Sequence, residues 1–117
     1  MKTTNHNKAL GKLGEDIAVD YLTKKGYIII ERNAFTPFGE IDIVAKIGEK
    51  TVFVEVKTRS TEKNGLGREA ITEKKRLHML KSAQYYADSR LLTDIGIDVI
   101  EIMLNRNSVT HFKDALV

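Results

Sequence analysis

A chain of 117 residues, 42% hydrophobic and 30% charged, has the length and balance of one globular domain, which excludes a disordered polyelectrolyte and leaves no room for a second domain. It has no cysteine, which excludes a disulfide framework and any thiolate metal site and makes a reducing cytoplasm the default location. No apolar run reaches membrane-spanning length and the polar start lacks the apolar core of a secretory signal, so no membrane association is expected and residues 1–8 are read as a disordered tail.

In chain order, Leu10, Leu13, Ile17, Ala18, Tyr21 and Leu22 recur at helical spacing, and Gly26 supplies a stop. Tyr27 to Asn33 is rich in isoleucine and reads as a strand. Thr36-Pro37-Phe38-Gly39 has the proline and glycine of a β-turn at its second and fourth positions. Glu40–Ile47 and Lys50–Thr58 are strands joined by the two-residue loop Gly48-Glu49. Ser60 to Arg68, with two glycines, reads as a mobile loop. Thr72 is placed to cap a helix reaching about Ala87, with Glu73 favourable in its first turn. Ile95–Leu104 and Val109–Phe112 complete the sheet around an Asn105-Arg106-Asn107 turn. The expected architecture is α/β, in the order α-β-β-β-α-β-β, with a mixed sheet and a helix for each face.

Net charge is only +3, but it is unevenly spread. Between Lys57 and Lys81 eight basic residues meet three acidic ones, a local charge of +5 against −2 for the remainder. A basic zone on a near-neutral body suits phosphate binding, because lysine and arginine displace condensed counterions. An ordinary solvated helix face gives the same pattern.

The hairpin carries the chemistry. With Gly48-Glu49 as its loop, Asp42 faces Glu55 and Glu40 faces Lys57. Alternation puts Ile41, Ile43, Ala45, Ile47, Val52, Val54 and Val56 on one apolar face. The other face holds Val44 and Phe53 near the loop and becomes charged toward the open end. Facing carboxylates destabilise a hairpin. A proton, a neighbouring cation such as Lys57, or a divalent cation relieves them. Mg²⁺ suits the last case, since one or two carboxylates commonly hold it. Lys57 projects from the same face, where it could assist an attacking water or stabilise charge on a phosphate. The bland alternative is a charged surface strand with an ordinary Glu40–Lys57 ion pair.

Glu15 falls on the shoulder of the first helix's apolar stripe, within reach of a site beneath it, while Asp16 and Asp20 point to solvent. A boundary residue would sit there too. Lys75, beside Met79 and Tyr86, is the better phosphate contact than the outward Lys74. His6, His78 and His111 have no zinc-ligand spacing. Neither a phosphate-binding glycine loop nor a nucleophile motif is present. Tyr85 and Tyr86 could stack on bases, but core packing is the commoner use of such a pair.

The residues Gly14-Glu15, Gly39-Glu40-Ile41-Asp42 and Phe53-Val54-Glu55-Val56-Lys57-Thr58-Arg59 together resemble the bacterial YraN-like family, related to restriction endonucleases and Holliday-junction resolvases of the PD-(D/E)XK superfamily. The resemblance extends through Tyr27, Arg32-Asn33, Ile71, Lys75, Ala83 to Tyr86, and Asp98-Val99. It implies a restriction endonuclease-like fold, with Asp42 and Glu55 as metal-binding acids, the Val56 carbonyl as a further ligand, Lys57 as the site lysine and Glu15 as the helix acid. Similar sequences tend to show Arg-Phe where this chain has Gly96-Ile97, a lost positive charge that bears on any substrate grip near Asp98.

The leading expectation is Mg²⁺-dependent hydrolysis of phosphodiester bonds in DNA rather than RNA, on branched or single-stranded substrates, with Mn²⁺ as a substitute. Lys75, Arg59 and Arg68 would hold the backbone. The alternatives are a nucleic-acid-binding module that does not cleave alone, and a purely structural interaction protein. A homodimer or a protein partner is expected in either of the first two cases, because so small a body offers little recognition surface.

Overall fold

The computed structural model describes residues 2–60 and 72–115, with side chains from Lys8 onward. Its elements are α1 (Lys2–Lys24), β1 (Ile28–Thr36), β2 (Gly39–Ile47), β3 (Lys50–Arg59), α2 (Glu73–Ser89), β4 (Ile95–Met103) and β5 (Ser108–Phe112). The strands form one sheet in the order β1-β2-β3-β4-β5. Only β3–β4 is parallel, with α2 as the crossover between them. The expected α-β-β-β-α-β-β order is therefore the observed one. Helix α1 starts at Lys2, well before Leu10. Residues 2–9 carry almost no apolar side chain, so periodicity had no means of marking that start.

Each face of the sheet has its own core. Ala18 and Leu22 of α1 pack on Ile43, Ala45, Val52, Val54, Ile100 and Ile102. On the other face, Ala83, Tyr86 and Ala87 of α2 cover Ala34, Ile41, Val44 and Phe53. Fully buried side chains such as Leu22, Ile43 and Ile100 each contribute about 1.5–3 kcal/mol. Helix α1 lies tight on β3 at Gly14, where an added Cβ would collide with the Thr58 side chain. Glycine lets the helix cross β3 beside Lys57. Leu13, expected in the buried stripe, is instead 46% exposed.

Ile41 departs from its expected face. It belongs with Val44 and Phe53 under α2, not with Ile43. The cause lies across the strand pair, where Arg32 pairs with Ile43 and Ala34 with Ile41. Asn33 between them has φ 52°, a left-handed conformation that asparagine tolerates better than most residues. The kink breaks the two-residue alternation, so Arg32 reaches α1 while Ala34 reaches α2.

The turns follow their residues. In the β1–β2 turn the Thr36 hydroxyl donates to the Gly39 carbonyl (2.7 Å) and accepts from the Phe38 N–H (3.1 Å). Thr72 caps α2, its side chain accepting from the Lys75 N–H. On the α1 face, Asp98 is 3% exposed and bonded to His111 Nε2 (2.7 Å) and to the Asp114 N–H (3.0 Å). The Tyr21 hydroxyl meets His111 Nδ1 at 3.0 Å. Asp98 is thus a core residue rather than a substrate contact. A Cβ at Gly96 would meet Lys50 Cε at 2.7 Å and Asp114 Oδ1 at 2.9 Å, so the small residue there seats the Lys50–Asp114 ion pair.

Candidate functional site

Strands β2 and β3 pair from Ile47↔Lys50 to Ile43↔Val54, and their ladder ends there. Strand β3 instead stays paired with β4 as far as Arg59↔Met103. The hairpin therefore opens as a wedge at the residues expected to react. Asp42 fills the wedge, its Oδ2 accepting the Val56 N–H at 2.8 Å. A side chain thus replaces the lost backbone partner. Asp42 and Glu55 come together across the wedge as expected. The companion Glu40–Lys57 pair does not form, because the β2–β3 ladder ends at Ile43↔Val54, three residues short of Glu40.

Burial and the Glu55 charge beside it push the Asp42 carboxyl up to about 7. In the folded chain Asp42 thus keeps its proton to much higher pH than in the unfolded chain, which lets it go near 3.8. Stability associated with this group is present below the lower value and lost as pH rises through the upper one. Asp42→Asn, which keeps an acceptor for Val56, is accordingly expected to stabilise the metal-free protein at pH 8 by on the order of 1–3 kcal/mol. The gain should shrink toward zero by pH 4, as read from urea midpoints. An unchanged difference across that range would show that the carboxyl is not strained.

Lys75 Nζ lies 3.1 Å from Glu55 Oε2, so a neighbouring cation relieves the pair as well, and it comes from α2. Lys57 is half-buried near Lys75 and Glu55, and burial together with the Lys75 charge lowers its pKa. Arg59 is engaged with Glu101 (Nε–Oε2 3.3 Å). Arg68, and the loop expected there beyond Ser60, lie outside the described residues.

Glu15 overhangs the same wedge from α1. It is held by Arg32 Nη2 at 3.2 Å and Asn33 Nδ2 at 3.0 Å, so the kinked segment of β1 aims it. Its charge reaches Asp42. Asp16 is exposed, as expected, and also accepts from Arg32 at 2.7 Å, because the kink swings Arg32 toward α1.

Two depressions meet at Asp42. One of about 290 Å³ lies toward α1, between Glu15, Asp42, Val56 and Thr58. The other, about 430 Å³, runs under α2 between Glu40, Asp42, Glu55, Lys74, Lys75 and His78. Lys74, expected to project outward, and His78, not expected to contribute, both line this cleft. Lys75, His78, Met79 and Ser82 follow the i, i+3, i+4, i+7 rule of one helix face, a signal present in the sequence. Arg32 and Asn33 as holders of Glu15 had no comparable local signal. Among the described residues, no three acidic or imidazole side chains are gathered closely enough to hold an ion by themselves. No described helix is long and apolar enough to cross a membrane.

A family model described as "Uncharacterised protein family UPF0102" matches residues 14–102. A UPF0102 protein of Caldicellulosiruptor bescii is 45% identical over 115 residues, covering 92% of this chain and 97% of its own. Another, from Dictyoglomus thermophilum, is 39% identical over 104 residues, covering 87% and 88%. A third, from Clostridioides difficile, is 42% identical over 112 residues, covering 94% and 98%. The matched segment runs from the glycine that seats α1 to the penultimate residue of β4, and so contains Glu15, Asp42, Glu55 and Lys57: the chain belongs to the UPF0102 family, the YraN-like family its motifs resemble.

Proposed function

We propose that this protein is a PD-(D/E)XK-type nuclease that hydrolyses phosphodiester bonds in DNA, in the cytoplasm, with Mg²⁺ as cofactor and Mn²⁺ as substitute. The observation that carries this reading is the wedge, where Asp42 is held against Glu55 at the cost of a raised pKa, with Lys57 and Lys75 beside them. A strained carboxylate pair at the meeting of two clefts has a chemical use, whereas a decorative surface strand does not need one.

The donor set fits a hard divalent cation. Asp42 and Glu55 offer two carboxylates, Val56 lines the same depression as Asp42 and would offer its carbonyl, and Glu15 lines it from α1. Magnesium is satisfied by one or two carboxylates with other oxygen donors, so a larger acidic cluster is not required. When bound, the cation would neutralise charge developing on the scissile phosphate and lower the pKa of the attacking water. Lys75 would leave Glu55 and turn to the phosphate backbone, joined by Lys74 and, with its loop, Arg68. Lys57, which gives up its proton more readily than a free lysine, would assist the water or hold the phosphate oxygen. Arg59 would contribute charge to the same face.

A second reading keeps the nucleic-acid surface without independent cleavage. The Lys75–Glu55 ion pair favours it, since Lys75 already neutralises Glu55 and competes with a cation for its carboxylate. A homodimer or a protein partner would then supply the missing rearrangement.

The deciding experiment titrates the purified protein and Asp42→Asn with Mg²⁺ and Mn²⁺ while assaying cleavage of duplex, single-stranded and branched DNA. Cation-dependent cleavage that Asp42→Asn lowers about 100-fold or more is the expected result. Cation binding without cleavage selects the second reading. Equal behaviour of the two proteins removes Asp42 from any metal site.

A further inference from the structure

Beside the α2 cleft stand two aromatic rings that the phosphodiester chemistry does not use. Phe38 sits in the β1–β2 turn, next to Gly39 of the cleft wall. It meets Tyr85 of α2 edge-on, with ring centroids 6.3 Å apart. Tyr85 follows Ser82 of that wall by three residues, one helical turn. Both rings remain open to solvent, Phe38 at 41% and Tyr85 at 45%. Lys81 Nζ stands 5.8 Å from the Phe38 centroid. By contrast Tyr86, the neighbour of Tyr85, is 4% exposed and packs on Phe53.

The pair is held in place before any ligand arrives. The Phe38 N–H donates to the Thr36 hydroxyl, which lies 3.0 Å from the hydroxyl of Ser82 on α2. Thr36 is 1% exposed, so a buried polar clasp ties the turn to the helix. Rings fixed by the backbone lose little freedom on binding. They are also separated from the basic zone by no other element, because Lys74, Lys75 and Lys81 all lie on α2.

We propose that Phe38 and Tyr85 form a stacking platform for unpaired bases, with Lys81 beside it for the adjoining phosphate. An exposed π face can take a base only when that base is free of its own stack. The platform therefore selects a single strand, or the unpaired arm of a branched substrate, over continuous duplex. The nucleobase–aromatic contact tolerates any sequence, since every base offers a π face. This deepens the nuclease reading by naming the feature its cleft would recognise, and it rests on that reading for the direction of the strand across Asp42 and Glu55.

The test measures binding of a thymidine oligomer and of a blunt duplex of equal length to the full chain in EDTA, where cleavage plays no part. Phe38→Leu and Tyr85→Leu remove the π faces while keeping apolar bulk, and circular dichroism checks their folding. Each is expected to weaken single-strand binding roughly 5- to 100-fold while changing duplex binding less than 2-fold. Phe38→Tyr should retain single-strand affinity. Unchanged single-strand binding in both leucine variants would overturn the platform, as would an equal loss on both ligands. Lys57→Ala serves as the separating control. If the nuclease reading fails, neither parent nor control cleaves in Mg²⁺, yet the binding difference between the ring variants and the parent persists.

Discussion

Lys57→Ala is expected to reduce Mg²⁺-dependent DNA cleavage by about 10²–10⁴-fold while leaving the fold and most DNA affinity in place. The lysine lies on β3, two residues past Glu55, which directs both side chains to the α2 face. Backbone pairing of Lys57 with Glu101 fixes that position whatever its side chain does. Burial and the nearby Lys75 make its charged form less favourable than in water, so truncation releases an electrostatic cost rather than a stabilising contact. Urea midpoints within about 0.5 kcal/mol of the parent are therefore expected. DNA affinity should persist because Lys74, Lys75 and Lys81 remain. Lys57→Arg is the companion variant. It keeps the positive charge but does not give up its proton, so cleavage should stay low if proton transfer matters and return in part if charge alone does. Cleavage by Lys57→Ala at the parental rate, with folding intact, would end the assignment of this residue to the reaction.

How far the site was legible depends on which contacts are local. The nearness of Asp42 and Glu55 followed from a two-residue loop and the period of a strand, both of which a sequence states directly, although the ladder stops one pair short of them. The placement of Val44 and Phe53 under a helix followed from the same alternation. The failures lie where the backbone leaves its period. A left-handed Asn33 moved Ile41 to the other core and turned Arg32 onto α1, and no regular pattern encodes a single such residue. The opening of the hairpin beyond Ile43 was likewise hidden. It arises because β3 follows β4 rather than β2, a long-range choice made by the parallel pairing. Lys75's ion pair with Glu55 needed the crossing of α2 over the sheet, which charge counting alone could not supply.

The largest stability effect is expected at a histidine that the sequence left without a role. His111→Ala should destabilise the protein by about 3–5 kcal/mol, because it strips a buried carboxylate of one of its two partners. Asp98 is enclosed between α1 and the β4–β5 pair, with one oxygen on His111 Nε2 and the other on the Asp114 N–H. The ring also packs edge-on against Tyr21, with centroids 5.5 Å apart, and against Tyr27 at 6.1 Å. Alanine would leave a void beneath α1 as well as an unpaired group. Tyr21→Phe removes only the outer hydrogen bond and should cost about 1 kcal/mol. Asp98→Asn should fall between the two, since its amide oxygen can still accept from the Asp114 N–H and its NH₂ can donate to His111 Nε2. This ordering, read from urea midpoints at one pH, separates a coupled network from a ring that merely fills space. A loss at His111→Ala below about 1 kcal/mol would deny the network any part in holding α1 to the sheet. Because Gly14 and Glu15 belong to that helix, its hold on the sheet also sets how firmly Glu15 overhangs Asp42.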